Sequence, residues 1–161
     1  MRLYKKGFLK MNDFKEKASV SEKALRKAEH AMYNTYSHTL GMEILEYHEG
    51  YCLTRLPIKQ EFLNPLGGLH GGFMYTIADT AAGIAASHPD SEENVTTISG
   101  NMQFLRAALD IKQLYAKATV IKDGKRIAFV DAVLTSEDGT VYAKGSFSFA
   151  RIVLPKKKEV V

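Results

Sequence analysis

Apolar and polar positions along the chain change period several times, and each change predicts an element. Ala24, Leu25, Ala28, Ala31 and Met32 fall on one helical face, and Ser19 with Glu22 resembles a capping box, so a helix is predicted from Ser19 that ends before Ser37. Two alternating runs follow, Thr39 to Tyr47 and Tyr51 to Pro57, parted by His48-Glu49-Gly50, which predicts a hairpin. A loop from Ile58 to Gly68 leads into Leu69 to Ser87, a helix of almost purely apolar or small residues. Beyond it the pattern only alternates, over Thr96 to Arg106, Ile111 to Ile121, Ile127 to Thr135 and Val141 to Ala150. Asp123-Gly124 and Asp138-Gly139 fall in two of the breaks and are strong hairpin signals. In the last run Val141, Ala143, Gly145, Phe147 and Phe149 share one face, and Tyr142, Lys144, Ser146 and Ser148 the other.

This order predicts an α+β fold in which one antiparallel sheet of five to six strands curls around a long central apolar helix. A helix apolar on nearly all sides needs cover on nearly all sides, and a curved sheet supplies most of it. Residues 1–18 show no period and are expected to be a basic N-terminal extension, with 19–161 forming a single domain; no linker-like composition divides them.

Composition narrows the function classes. Hydrophobic residues make up 45% and charged residues 25%, ordinary for a soluble globular protein. The longest apolar-rich run, Gly67 to Ser87, contains His70 and Asp79 and is a poor membrane span. No continuous apolar stretch follows Arg2, Lys5, Lys6 and Lys10, and the single Cys52 has no internal disulfide partner, so a cytoplasmic location is expected. The formal charge of +4 is dispersed, with small clusters at Lys122 to Arg126 and Lys156 to Lys158, and no nucleic-acid motif accompanies it. Such a surface suits solubility or a small polyanion. The five histidines show no metal-ligand spacing, and no Gly-x-Ser-x-Gly elbow is present, which disfavours a metal enzyme and a Ser-His-Asp hydrolase.

The segment Asn64-Pro65-Leu66-Gly67-Gly68-Leu69-His70-Gly71-Gly72, leading through Phe73 to Asp79, carries the candidate chemistry. Glycines at a helix start leave unpaired amides open to close approach, and the helix dipole adds partial positive charge, as a developing oxyanion requires. The same glycines also suit a tight loop, and His70 suits a loop or core position. Asp79 is different, because no Lys or Arg of its own helix compensates it and burying a lone carboxylate is costly. Two readings stay open: a structural aspartate bonded to Thr76, Thr80 or a backbone amide, or a perturbed carboxylate facing a cleft. Asp79 lies eight residues after Gly71, roughly 12 Å along a helix axis. For both to act on one substrate they must come from two antiparallel copies of the helix, which predicts a homodimer with sites at its interface.

Asn64-x-x-Gly67-x-x-His70-Gly71-Gly72 followed by Ala78-Asp79 resembles the hotdog-fold thioesterases of the phenylacetate-degradation type, related to the 4-hydroxybenzoyl-CoA thioesterases. The likeness continues through Phe104-Leu105-Arg106 and Lys122-Asp123-Gly124-Lys125-Arg126, and covers roughly residues 38–150. Ala107-Ala108 departs from many relatives, which have proline soon after the Phe-Leu-Arg stretch. The resemblance implies a hotdog fold and an acyl-CoA thioesterase acting on an aromatic or medium-chain acyl group. It implies that Asp79 is nucleophile or general base, that the Gly71 amide polarises the thioester carbonyl, that Asn64 binds near the thioester or the attacking water, and that His70 positions groups around the loop. Thr97 stands where a hydroxyl residue often orients water in this family, although threonine in a strand also simply favours the strand. Arg106, Lys122, Lys125 and Arg126 are candidates for the coenzyme A phosphates, against a background of ordinary solvated turn charge. Coenzyme A is then part of the substrate and no separate cofactor is expected; the partners are an acyl-CoA and a second copy of the chain, with a tetramer also open. The rival functions are an acyl-CoA sensor or dimerisation module that binds without cleaving, and a hotdog hydratase or dehydratase using a histidine and a carboxylate.

Overall fold

The structure is a computed structural model that describes residues 28–29, 32, 35–88, 91 and 93–153. The expected extension over residues 1–18, the capping box of Ser19 with Glu22 and the Lys156 to Lys158 cluster lie outside the described residues. A short helix, α1 (Tyr36–Leu40), sits where the predicted helix was to have ended and the first strand to have begun. Gly41 explains the difference: at φ 81 it is in the left-handed region, its amide bonds back to the His38 carbonyl, and it reverses the chain so that β1 starts only at Glu43.

The strands are β1 (Glu43–His48), β2 (Tyr51–Pro57), β3 (Asn94–Phe104), β4 (Gln113–Asp123), β5 (Ile127–Thr135) and β6 (Val141–Ile152). A single 3-10 turn, Gln60–Phe62, and the long helix α2 (Gly71–Ala86) separate the first hairpin from the other four strands. All neighbours pair antiparallel, in the order β1-β2-β4-β5-β6-β3. The predicted strands are therefore all present, with ends displaced by about two residues at β3, β4 and β6, within the usual uncertainty of such boundaries. The crossing of α2 over the sheet carries the chain from β2 to the far edge, where β3 pairs with β6, and β4 then returns to the middle.

Every strand of the sheet touches α2, so the sheet wraps the helix as expected. Met74, Ile77, Ala78, Ala81, Ala82, Ala85 and Ala86 form the buried stripe, and their small side chains let the helix lie close against β2, β4 and β5. Leu56, Leu114, Leu134 and Val130 from those strands are buried against it, each side chain stabilising the fold by about 1.5–3 kcal/mol through removal from water. On β6 the predicted two faces hold, except that Tyr142 is buried as well.

The expectation of nearly complete cover for α2 is not met within one chain. Gly72, Thr76, Asp79, Thr80 and Gly83 lie on the face opposite the stripe and are exposed or only partly buried. β3, at the sheet edge, is likewise open along most of its length, with Ile98 54% exposed. Among the described residues no helix is long and apolar enough to cross a membrane.

Candidate active site

The loop before α2 is built by Asn64. Its side-chain oxygen accepts from the amides of Leu66 at 2.9 Å and Gly68 at 3.2 Å, while its own amide donates to the Gly68 carbonyl at 2.7 Å. Gly67 takes φ 81 inside this turn. The amides of Leu69 and His70 then bond to the carbonyls of Ala108 and Phe62, which fixes the direction in which the helix starts.

His70 is the residue that caps α2. Its Nδ1 accepts from the Gly72 amide at 2.9 Å, so a Cβ at position 72 would meet that nitrogen at 3.0 Å, and only glycine leaves the cap undisturbed. The carbonyl of His70 accepts from the amides of Phe73 and Met74. Among the first-turn amides that leaves Gly71 N–H without a partner among the described residues, beside the ring of Phe104. It is a backbone donor aimed outward at the positive end of a helix dipole.

Asp79 lies two turns further along and is half-buried. Its carboxylate accepts from the Thr97 hydroxyl at 2.9 Å, across from α2 to β3. Burial holds the Asp79 carboxyl above its ordinary value, and the Thr97 hydrogen bond draws it part of the way back. The two helical threonines first considered as its partners are engaged elsewhere: Thr76 donates to the Gly72 carbonyl and Thr80 meets Ser37. Asp79 opens on a cavity of about 400 Å³. Met32, Ile84, Val95 and Phe149 form its apolar side, and among the described residues no lysine or arginine lines it.

The structure thus brings Asn64, His70 and Gly71 together at the start of α2, and Asp79 and Thr97 together about two turns away. The continuous helix between Gly71 and Asp79 keeps the two groups roughly 12 Å apart in one chain. The four cations do not form one cluster either. Arg106 follows β3 near the Asn64 loop, its amide bonded to the Tyr142 carbonyl. Lys122 near the end of β4 and Lys125 and Arg126 in the β4–β5 turn lie at the other end of α2, where Arg151 bonds both the Ala86 and Gly124 carbonyls. All four side chains are exposed. Cys52 is buried in β2, where burial pushes its thiol up, so it is no nucleophile.

Ser37, Tyr47 and Ser87 also line the cavity and were not singled out in the sequence. Ser37 meets Thr80 at 3.2 Å and Tyr47 meets Ser87 at 2.9 Å, pairs separated by 43 and 40 positions, and no local pattern signals contacts of that range.

Residues 66–143, from the Asn64 loop into β6, match the family described as the Thioesterase superfamily. The acyl-coenzyme A thioesterase PaaI of Escherichia coli is 27% identical over 122 residues, 73% of this chain and 84% of that protein. Its solved structure, from the phenylacetic acid degradation operon, superposes with a TM-score of 0.74 over 83% of this chain and 96% of that one. A putative esterase of Halobacterium salinarum is 31% identical over 106 residues, 62% of this chain and 69% of its own length. The match to a putative esterase of Archaeoglobus fulgidus, 29% identical, spans 55% of this chain and 56% of that protein. With a six-stranded antiparallel sheet around one helix and an unpaired amide at the helix start, the chain belongs to the thioesterase superfamily. Within it, it is a hotdog thioester hydrolase of the PaaI type.

Proposed function

We propose that the chain hydrolyses an acyl-CoA thioester, with an aromatic or medium-chain acyl group, to the free acid and coenzyme A. The observation that carries this is Asp79: a half-buried carboxylate, raised by desolvation, held by Thr97 and opening on an apolar-sided cavity with no lysine or arginine among its described lining residues. A carboxylate of that kind serves as a nucleophile on the thioester carbonyl or as a base on water. Gly71 N–H stabilises the tetrahedral oxyanion as the carbonyl carbon is attacked. The C–S bond then breaks, the thiolate of coenzyme A leaves and is protonated, and water supplies the hydroxyl of the acid. Thr97 holds the Asp79 carboxylate in place, and Asn64 and His70 hold the loop that presents the amide.

Because Asp79 and Gly71 of one chain are too far apart to share a carbonyl, each site takes Asp79 from one chain and Gly71 from another in a two-fold dimer. The partly covered face of α2 and the open edge of β3 are the surfaces such a partner would cover. The same antiparallel arrangement brings the cations at the two ends of α2 towards each other, for the phosphates of one coenzyme A. A histidine-based hydratase is less well supported, since His70 Nδ1 is occupied by the helix cap.

The test is a panel of aromatic and straight-chain acyl-CoAs assayed by release of free thiol, with the wild type and Asp79→Ala. The wild type should release thiol, and Asp79→Ala should lose on the order of 10²–10⁴ of the rate while its circular dichroism is retained. Binding of every member without thiol release would replace this reading with the sensor, and a change in acyl unsaturation would replace it with the hydratase.

A further inference from the structure

Three turns of the chain meet just past the C-terminal end of α2. Glu49 lies between β1 and β2, His88 follows the helix, and Asp123 closes β4. His88 places Nδ1 3.6 Å from a Glu49 carboxylate oxygen and Nε2 3.1 Å from an Asp123 carboxylate oxygen. One ligand atom from each of the three residues lies within 4.8 Å of the other two. We propose that Glu49, His88 and Asp123 form a binding site for a divalent transition ion, best matched by Zn2+, that ties the end of α2 to two hairpin turns.

One imidazole nitrogen and two carboxylate oxygens make a mixed donor set that suits Zn2+ and is poorly suited to Mg2+, which prefers oxygen ligands in a strict octahedron. Ligands at about 2.0–2.2 Å from a tetrahedral zinc lie roughly 3.4 Å apart, so ligand atoms now up to 4.8 Å apart close by up to about 1.4 Å, and Glu49, which meets Nδ1, swings towards the Nε2 side that Asp123 already faces. Glu49 can supply that movement, since its side chain is 77% exposed. Asp123 does not need to move, because its second oxygen is held by the Arg151 guanidinium, whose side chain is only 6% exposed. Arg151 in turn is pinned by the Gly124 and Ala86 carbonyls, each at 3.2 Å. Outer partners of this sort orient a metal ligand and are a regular part of such sites. The remaining coordination position would face solvent, and His88 also lines the cavity that holds Asp79, so the ion would sit at the rim of that cavity.

Without an ion, the same three residues make an ordinary polar trio in which the His88 ring bridges two carboxylates, and the experiment separates the two. The full chain, stripped with EDTA and dialysed, is titrated with ZnCl2 by calorimetry and its thermal unfolding is followed with ZnCl2 or MgCl2. The expected result is one Zn2+ per chain. A hundredfold excess over the dissociation constant should raise the unfolding midpoint by about 5–10 °C, and MgCl2 should not. His88→Ala and Glu49→Gln should each weaken Zn2+ at least about tenfold. Glu49 is on an exposed turn, so its variant remains informative if His88→Ala folds poorly. Absence of saturable binding, or unchanged affinity in either folded variant, overturns the proposal in favour of the polar trio.

Discussion

At the scale of single residues, the role proposed for Asp79 makes it and Thr97 the source of the pH behaviour. That role needs the ionised carboxylate, and burial raises the Asp79 carboxyl, so kcat/KM should fall on the acid side with the titration of this group. Removing the Thr97 hydroxyl removes what draws it back, so Thr97→Val should move that acid limb to higher pH and leave the neutral plateau lowered less than the acid side; an unmoved limb in a pH–rate profile would show that Thr97 does not govern the charge. The same shift has a cost in stability. A carboxyl whose folded value lies above its unfolded value binds more protons in the folded state across that interval, so its contribution to stability falls as pH rises through it and is lowest at neutral pH. Asp79→Asn, which keeps an acceptor for Thr97 but carries no charge, should therefore unfold at a higher temperature than the wild type at pH 7, with the difference shrinking towards acid pH. A melting series between pH 4 and 8 is the measurement. Asp79 was legible in the sequence because a charge inside an apolar helix needs a reason. Its partner was not: Thr97 lies 18 positions away on another element, and only the family resemblance pointed to it.

At the scale of elements, the start of α2 offers an unusual way to remove a backbone donor. Gly71 is the first helical residue, after His70 at φ −65 and ψ 134. Proline is well accommodated at a first helical position, because the missing N–H has no intrahelical partner there, and the residue before it is already extended as proline requires. Gly71→Pro should thus delete the proposed oxyanion donor while leaving the helix intact, and lower kcat by about 10²–10³ with a near-native melting temperature. The added ring would press on Phe104, a side chain 54% exposed and able to turn aside. Strands and hairpins were readable from alternation and from the Asp-Gly turns, since both are local signals. The strand order was not, because β3 follows α2 in sequence yet pairs with β6 at the far edge, a choice made by the crossing of the helix over the sheet. The short helix Tyr36–Leu40 was not legible, because the alternation from Thr39 continues a β pattern that Gly41 interrupts through its backbone alone.

At the scale of the molecule, the incomplete cover of α2 and the separation of Gly71 from Asp79 are the grounds for the proposed arrangement, two chains with shared sites. That arrangement makes a prediction no single-chain site would make. Asp79→Ala lacks the carboxylate and Gly71→Pro lacks the amide, so homodimers of either have no complete site. A mixed dimer has one site assembled from the intact Asp79 of one chain and the intact Gly71 of the other, and one site lacking both. If the two inactive proteins are mixed in equal amounts and allowed to reassort, half the dimers are mixed, and activity should return to about a quarter of the wild-type value. Reassortment itself can be followed with a mass tag on one variant, so a failure to exchange is not mistaken for a failure to complement. Mixed dimers that form and remain inactive would place Gly71 and Asp79 in separate roles within each chain, and the shared site would have to be given up.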